Sequence, residues 1–208
     1  MNKAVRGFTL IELMVVIGII GILASIVFVG ARPAGEQSRD AARQSDLRQV
    51  QTALELYKNR YGRYPERCAS AHPDWSGQMD TDYECNVPNQ AYILGNIAEG
   101  RPFAEFMVNL PKDPKLNGTN SGYVYTVNSD GSVYKLMVKN TAESEIVTPD
   151  HPFASCPTGC SPSNGHCRPG NQPGGDQFES SYAVWGGLDN SDPSDIRDNT
   201  DEIICEIE

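Results

Sequence analysis

The chain has 208 residues, a formal net charge of −10 and six cysteines, and its acidity is confined to one part. Residues 141–208 contain thirteen acidic residues and only two basic ones, Arg168 and Arg197, so this segment has a net charge of −11 and the remainder is almost neutral. An acidic segment repels phosphates, and the chain carries no stripe of basic residues. These features argue against nucleic acid as a partner of this chain.

An apolar segment of about 22 residues, Phe8 to Val29, lies near the N-terminus. Its only polar members are Thr9, Glu12 and Ser25. At about 1.5 Å per residue a helix of this length spans roughly 30 Å, the thickness of the hydrocarbon core of a bilayer. Because Lys3 and Arg6 precede it, we expect a transmembrane helix with the N-terminus in the cytoplasm and the rest of the chain outside.

Two simpler interpretations of the apolar segment are a cleaved signal peptide and a plain single-pass anchor. A signal peptide has its small-residue cleavage site after the apolar run, whereas Gly7 precedes it. Glu12 argues against a plain anchor, because a carboxylate costs roughly 2.5–3.5 kcal/mol at the centre of a membrane helix and usually marks a function. The segment contains no Lys or Arg, so we expect the partner of Glu12 on another molecule, where an amine freed by cleavage between Gly7 and Phe8 has the right charge.

The residues around this junction, Gly7 followed by Phe8-Thr9-Leu10-Ile11-Glu12-Leu13, resemble the leader junction of type IV pilins and type II secretion pseudopilins. The resemblance implies a leader over residues 1–7, cleavage after Gly7 by a prepilin peptidase, and methylation of the new N-terminus at Phe8. It also implies that Glu12 pairs with the amine of a neighbouring subunit during assembly on an inner-membrane platform.

A second helical pattern over residues 31–62 continues the first as an amphipathic helix. Its apolar stripe repeats at helical spacing and consists of Leu47, Val50, Leu54, Tyr57 and Tyr61. We interpret the charged residues between them as a solvated face, of which a minority contacts neighbouring subunits: Arg43, Asp46, Arg48, Glu55, Lys58 and Arg60. The proline and glycine in Arg32-Pro33-Ala34-Gly35 predict a kink or a short unwound patch.

Residues 63–140 are predicted to form a small globular head. Gly62-Arg63-Tyr64-Pro65 predicts the end of the helix, and this segment and Leu110–Pro114 resemble landmarks of major, G-type pseudopilins. Two strands, Gly122–Val127 and Ser132–Val138, are joined by a hairpin turn at residues 128–131. We therefore predict an α+β, type IV pilin-like fold in which the long helix packs on one face of a small antiparallel sheet.

Residues 141–208 are predicted to be an irregular, Cys-rich acidic extension. All six cysteines follow the apolar segment, so we expect disulfides in an oxidising compartment: Cys68, Cys85, Cys156, Cys160, Cys167 and Cys205. Six cysteines allow fifteen pairings. We favour Cys68 with Cys85, which closes a local loop, and the remaining pairing stays open.

Two metal sites are alternatives for the extension. Cys156, Cys160, His166 and Cys167 offer zinc ligands without the usual Cys-x-x-Cys spacing. A set of acidic side chains offers oxygen ligands for calcium, although we favour a solvated acidic loop as their explanation: Asp189, Asp192, Asp195 and Asp198. Major pseudopilins are similar in carrying calcium near their C-terminal loops. No other cofactor is expected.

The three histidines, His72, His151 and His166, lie in loops without a catalytic motif, so we expect no enzymatic activity. The sequence instead predicts a structural subunit that polymerises with itself and with other pilins or pseudopilins, and whose partners include the peptidase, the assembly platform and membrane lipid. Pilus, secretion pseudopilus and competence filament stay open. A monomeric, membrane-anchored binding domain outside the cytoplasm is the alternative.

Overall fold

The computed structural model of the chain describes residues 8–68, 75–78, 92–118, 121–128, 130–148, 150–155 and 178–187, without the side chains of residues 26–32 and 178. The chain divides into two compact units, Met1–Ser38 and Arg39–Glu208. One α-helix, α1, extends over Leu10–Tyr61 and so contributes residues to both units.

Helix α1 is continuous through Pro33, so the predicted unwound patch at residues 32–35 is wrong. A proline inside a helix removes one backbone hydrogen bond, but the turns on either side keep their own bonds. The predicted C-terminal end of the helix is confirmed. Gly62 adopts a positive φ of 79°, and its N–H donates to the carbonyl oxygen of Lys58 at 2.7 Å, which is a common way for a helix to end.

The described part of the first unit exposes its apolar side chains. The large apolar residues between Phe8 and Leu23 are exposed to between 46% at Val16 and 86% at Phe8. Within the part of the chain that the structure describes, none of the helices combines the length and the apolar character needed to cross a membrane.

The second unit contains a four-stranded antiparallel sheet in the order β1-β4-β5-β6. Its strands are β1 (Ser76–Gly77), β4 (Gly122–Val127), β5 (Tyr134–Lys139) and β6 (Tyr182–Gly186). Two short strands, β2 (Gly95–Asn96) and β3 (Arg101–Pro102), form a separate antiparallel pair. The prediction of an α+β fold with a small antiparallel sheet, including the hairpin of β4 and β5, is confirmed.

The hydrophobic core lies between helix α1 and one face of this sheet. Four of the five predicted stripe residues are fully or almost fully buried, and Tyr61 packs against them partly buried. They meet alternate residues of the three long strands: Tyr123, Tyr125, Tyr134, Leu136, Val138, Tyr182 and Val184. The period of the helix and the period of the strands therefore bring the two apolar surfaces together.

The opposite face of the sheet is also buried. Trp75 packs there with Val124, Met137 and Ala183, and Trp185 lies partly buried against the same cluster. The sheet is thus covered on both faces, by helix α1 on the predicted face and by this cluster on the other.

Strand β6 lies within the segment that was predicted to be an irregular extension. All five of its residues pair with β5, from Tyr134 opposite Gly186 to Val138 opposite Tyr182. Backbone hydrogen bonds also tie residues 141–155 to this part of the chain, for example from the N–H of Ala183 to the carbonyl oxygen of Phe153 at 3.0 Å. The description of residues 141–208 as wholly irregular is therefore wrong for β6, since a C-terminal strand completes the sheet.

Candidate functional site

The start of helix α1 is capped by the side chains of Thr9 and Glu12. The N–H of Thr9 donates to Glu12 Oε2 at 2.9 Å, and the N–H of Glu12 donates back to Thr9 Oγ1 at 3.3 Å. The Thr9 hydroxyl also donates to Glu12 Oε2, at 2.7 Å. This reciprocal arrangement is a capping box, which satisfies backbone donors that have no partner inside the helix.

The capping box places the carboxylate of Glu12 at the positive end of the helix, next to the exposed Phe8. The sequence predicted a partner for Glu12 on another molecule, and within this chain Thr9 supplies hydrogen bonds to it. Pairing of Glu12 with the Phe8 amine of a neighbouring subunit stays a prediction. Gly7, the other predicted processing residue, lies outside the described residues.

A network of charged side chains in the second unit was missed by sequence reasoning. Arg43 has no exposed side-chain surface and donates two hydrogen bonds to Asp113, both at 2.8 Å. It also donates to Asp40 at 2.7 Å and to Glu143 at 3.0 Å. Arg39 forms a second bidentate pair, with Glu143, through hydrogen bonds of 2.8 and 2.7 Å. The network joins helix α1 to two segments that are distant along the chain.

The surroundings of these groups favour their charged forms. Hydrogen bonds from Arg39, assisted by Lys115 and Arg43, hold the pKa of Glu143 well below its usual range. Burial raises the pKa of Asp40, but hydrogen bonds from Ser144, Glu143 and Arg43 outweigh burial and lower it. Burial opposes the charge of Arg43, yet its bonds to carboxylates raise its pKa above the ordinary value. Glu143, Asp40 and Arg43 thus favour their charged forms, and Arg43 pairs with both carboxylates.

The interpretation of the charged helix residues as a solvated face is therefore wrong for Arg43. Asp46 is half-buried and accepts a hydrogen bond from the hydroxyl of Tyr123 at 2.8 Å. Glu55 is exposed, as predicted, and also accepts a hydrogen bond from the hydroxyl of Tyr64 at 2.9 Å. Burial, reinforced by these carboxylates, raises the pKa of both tyrosines, so their hydroxyls remain donors. Helical periodicity identifies the apolar stripe but does not show which polar residues flanking it have distant partners.

Cys68 is the one predicted disulfide cysteine among the described residues, and it is buried and disulfide-bonded. Cys85, which we favoured as its partner, lies outside the described residues, as do the other four cysteines and both predicted metal-ligand sets. Among the residues that the structure describes, no three His, Cys, Asp or Glu side chains are grouped as a metal would need. The calcium site at Asp189, Asp192, Asp195 and Asp198 stays a prediction.

His151 is the described histidine, and its contacts suit a structural role. Its Nδ1 accepts a hydrogen bond from the N–H of Phe153 at 3.1 Å, and its Nε2 lies 3.3 Å from Glu145 Oε1. The same carboxylate oxygen accepts hydrogen bonds from Gln44 and Tyr182. Both ring nitrogens are thus engaged in holding a turn, and the absence of enzymatic activity stays a prediction.

Comparison with known proteins gives two kinds of match. Residues 2–28 match the family described as the prokaryotic N-terminal methylation motif, and this range includes Gly7, Phe8 and Glu12. The chain is 44% identical over 108 residues to the type II secretion system core protein G of Aeromonas hydrophila, a match that covers 52% of this chain and 66% of that relative. It is 36% identical over 88 residues to the core protein G of Klebsiella pneumoniae, covering 42% of this chain and 63% of the relative.

The chain thus carries the N-terminal methylation motif and is similar to type II secretion pseudopilins. A further relative, the type II secretion system core protein G of Escherichia coli strain K12, is 43% identical over 60 residues, which are 29% of this chain and 41% of the relative. The chain spans less than two thirds of the length of these relatives. No solved structure matches it.

Proposed function

We propose that this chain is a pseudopilin, a structural subunit of a type II secretion pseudopilus. In this proposal a prepilin peptidase removes residues 1–7, the new N-terminus at Phe8 is methylated, and the mature chain polymerises through helix α1. The observation that carries the proposal is the family match over residues 2–28, which contains the whole junction from Gly7 to Glu12. The names of the relatives favour secretion over a surface pilus.

The geometry of the helix start supports an assembly role. Glu12 lies in the first turn of helix α1, and the exposed Phe8 lies just before that turn. The carboxylate of Glu12 is therefore near the position at which cleavage would create a new amine. Two subunits offset along their helices would bring the carboxylate of one to the amine of the other. Thr9 donates hydrogen bonds to the carboxylate from neutral groups, whereas an amine from a neighbouring subunit would form a salt bridge in which both partners are charged.

The exposed apolar side chains of the first unit suit two environments, lipid before assembly and the helices of other subunits after it. Before assembly they would contact lipid, with residues 8–30 in the inner membrane, the N-terminus in the cytoplasm and the second unit outside. After assembly they would pack against the helices of other subunits, where the small residues Gly18 and Gly21 allow close approach. The partners in this proposal are further pseudopilins, the peptidase, the assembly platform and lipid.

The mass of the N-terminal peptide from membrane-extracted native protein tests the proposal. We expect a peptide that begins at methylated Phe8. An intact leader beginning at Met1, in cells in which the peptidase processes another substrate, would overturn the proposal and favour a monomeric, membrane-anchored binding domain. Two further experiments distinguish a pseudopilus from a pilus. If the chain is a pseudopilus subunit, deletion of its gene should cause a secretion defect. If it is a pilus subunit, filaments sheared from the surface of cells that make the chain should contain it.

A further inference from the structure

A turn of the second unit at Asn117 and Gly118 presents an amide side chain and a backbone nitrogen to solvent. Both residues are exposed, and they form one of the two Asn-Gly pairs in the sequence. Gly118 has a positive φ of 81°, and a Cβ added to it would meet no other atom within 4 Å. The space beside the backbone of Gly118 is therefore open.

The backbone of this turn is held by the buried hydroxyl of Ser121. The hydroxyl oxygen accepts a hydrogen bond from the N–H of Asn117 at 2.7 Å, and the hydroxyl donates to the carbonyl oxygen of Gly118 at 3.0 Å. Among the described residues, neither the side-chain amide of Asn117 nor the N–H of Gly118 forms a hydrogen bond. Ser121 thus fixes the turn and leaves these two groups available to each other.

The hairpin turn at Asp130 and Gly131 provides a contrast, because the corresponding groups are bonded there. The carboxylate of Asp130 accepts a hydrogen bond from the N–H of Ser132 at 2.8 Å, and the N–H of Gly131 donates to the carbonyl oxygen of Asn128 at 3.0 Å. A Cβ at Gly131 would also lie 2.8 Å from the Nε of Arg63. The side chain and the backbone nitrogen of this second pair therefore have to leave their partners before they can meet.

An Asn-Gly pair can react with itself by cyclisation followed by hydrolysis. The backbone nitrogen of Gly118 attacks the side-chain carbonyl carbon of Asn117 and forms a five-membered imide. The amide nitrogen takes up the proton of the Gly118 N–H and leaves as ammonia. One water molecule then opens the imide at either carbonyl, which gives aspartate or isoaspartate, so water is the co-reactant. Glycine favours the attack because it has no side chain to hinder it and its backbone is free to rotate.

We propose that Asn117 is a modification site, at which the folded chain converts the side-chain amide to a carboxylate by this route. The product carries one more negative charge, two residues from Lys115, whose ammonium pairs with Glu143 of the ion network. The exposed surface beside the network therefore becomes more acidic as the protein ages. The proposal does not rest on the pseudopilus function.

Incubation of the oxidised full chain in mildly alkaline buffer, made with water labelled with heavy oxygen, tests the proposal. One sample is folded in detergent and the other is unfolded in urea. Mass spectrometry of the peptide that contains Asn117 measures the label, which excludes modification during earlier handling, and isoaspartate in the product marks the imide route. Because exposed, unbonded groups react without local opening, we expect the rate at Asn117 in the folded chain to lie within about threefold of the unfolded rate. A larger decrease on folding would overturn the proposal.

Asp130 is the internal reference in the same samples, because its isomerisation to isoaspartate passes through the same kind of imide with loss of water. We expect folding to slow this reaction at least about tenfold, which corresponds to a local opening that costs about 1.4 kcal/mol. A rate at Asp130 that folding leaves unchanged would overturn the proposal, since the bonds within a turn would then not control the reaction.

A full-length variant, Gly118→Ala, tests the role of the Gly118 nitrogen. The added methyl group has open space around it, but it restricts the backbone and hinders the attack. We expect the rate at Asn117 in the folded variant to fall about tenfold and the rate at Asp130 to stay constant. An unchanged rate at Asn117 would overturn the proposal, because water alone would then hydrolyse the amide.

Discussion

Replacing Arg43 by alanine removes the centre of the ion network. The guanidinium has no exposed surface and donates to three carboxylates. Two of these, on Asp113 and Asp40, have side chains that are 0% and 3% exposed. Arg43→Ala therefore removes the guanidinium from two buried carboxylates.

The expected cost of Arg43→Ala is about 3–5 kcal/mol, the penalty for removing one partner of a buried ion pair. This is a large fraction of the 5–15 kcal/mol that stabilises a typical domain. For a protein of this size each kcal/mol lowers the melting temperature by roughly 2–4 °C, so we expect a decrease of about 6–20 °C. The matched control is Arg60→Ala, because Arg60 lies on the same helix but is 62% exposed and 3.7 Å from Glu105. An exposed pair of this kind contributes about 0–1 kcal/mol.

Thermal unfolding of the oxidised full chain in detergent, followed by near-ultraviolet circular dichroism, measures both variants. A double-mutant cycle with Asp113→Ala then isolates the pair, and we expect the double variant to lose less stability than the sum of the two single ones. Equal destabilisation by Arg43→Ala and Arg60→Ala would contradict the expected cost, since the network would then contribute nothing beyond a surface pair.

Three further results are expected. Leu54→Ala, in the core, should lower the free energy of unfolding by about 2–5 kcal/mol in chemical denaturation, whereas Leu56→Ala, at a position 52% exposed, should lower it by less than about 0.5 kcal/mol. Equal losses in the two variants would contradict the assignment of the apolar stripe. Because the folded protein lowers the pKa of Glu143 and Asp40, the melting temperature should be constant above about pH 5 and should fall below about pH 4. Glu143→Gln should weaken this pH dependence, and an unchanged pH dependence in that variant would contradict the role of Glu143. Glu12→Ala should abolish filaments in shearing assays while the subunit still accumulates in membranes, and filaments at normal yield would contradict the assembly role.

Several elements were predictable because their signals are local. The apolar stripe at Leu47, Val50, Leu54 and Tyr57 follows the period of a helix, and β4 and β5 alternate around a turn with Gly131 at a φ of +72°. The capping residues Thr9 and Glu12 are three positions apart, which is also a local signal. Strand β6 has the aromatic and branched residues of a strand in Tyr182–Trp185, but the Gly, Pro and Asp around it obscured the signal.

Local patterns in the sequence were enough to identify the motif at residues 7–12, the apolar segment, the C-terminal end of helix α1 and the face that it buries, because each depends on residue types at short spacing. Three features became visible only in the folded protein: Arg43 is buried among carboxylates 70 and 100 positions away, β6 completes the sheet, and both faces of the sheet are covered. Periodicity shows which side of an element avoids water. The partner of a buried charge or of an edge strand depends instead on how distant segments meet, since their pairing energy is realised only after the chain has folded.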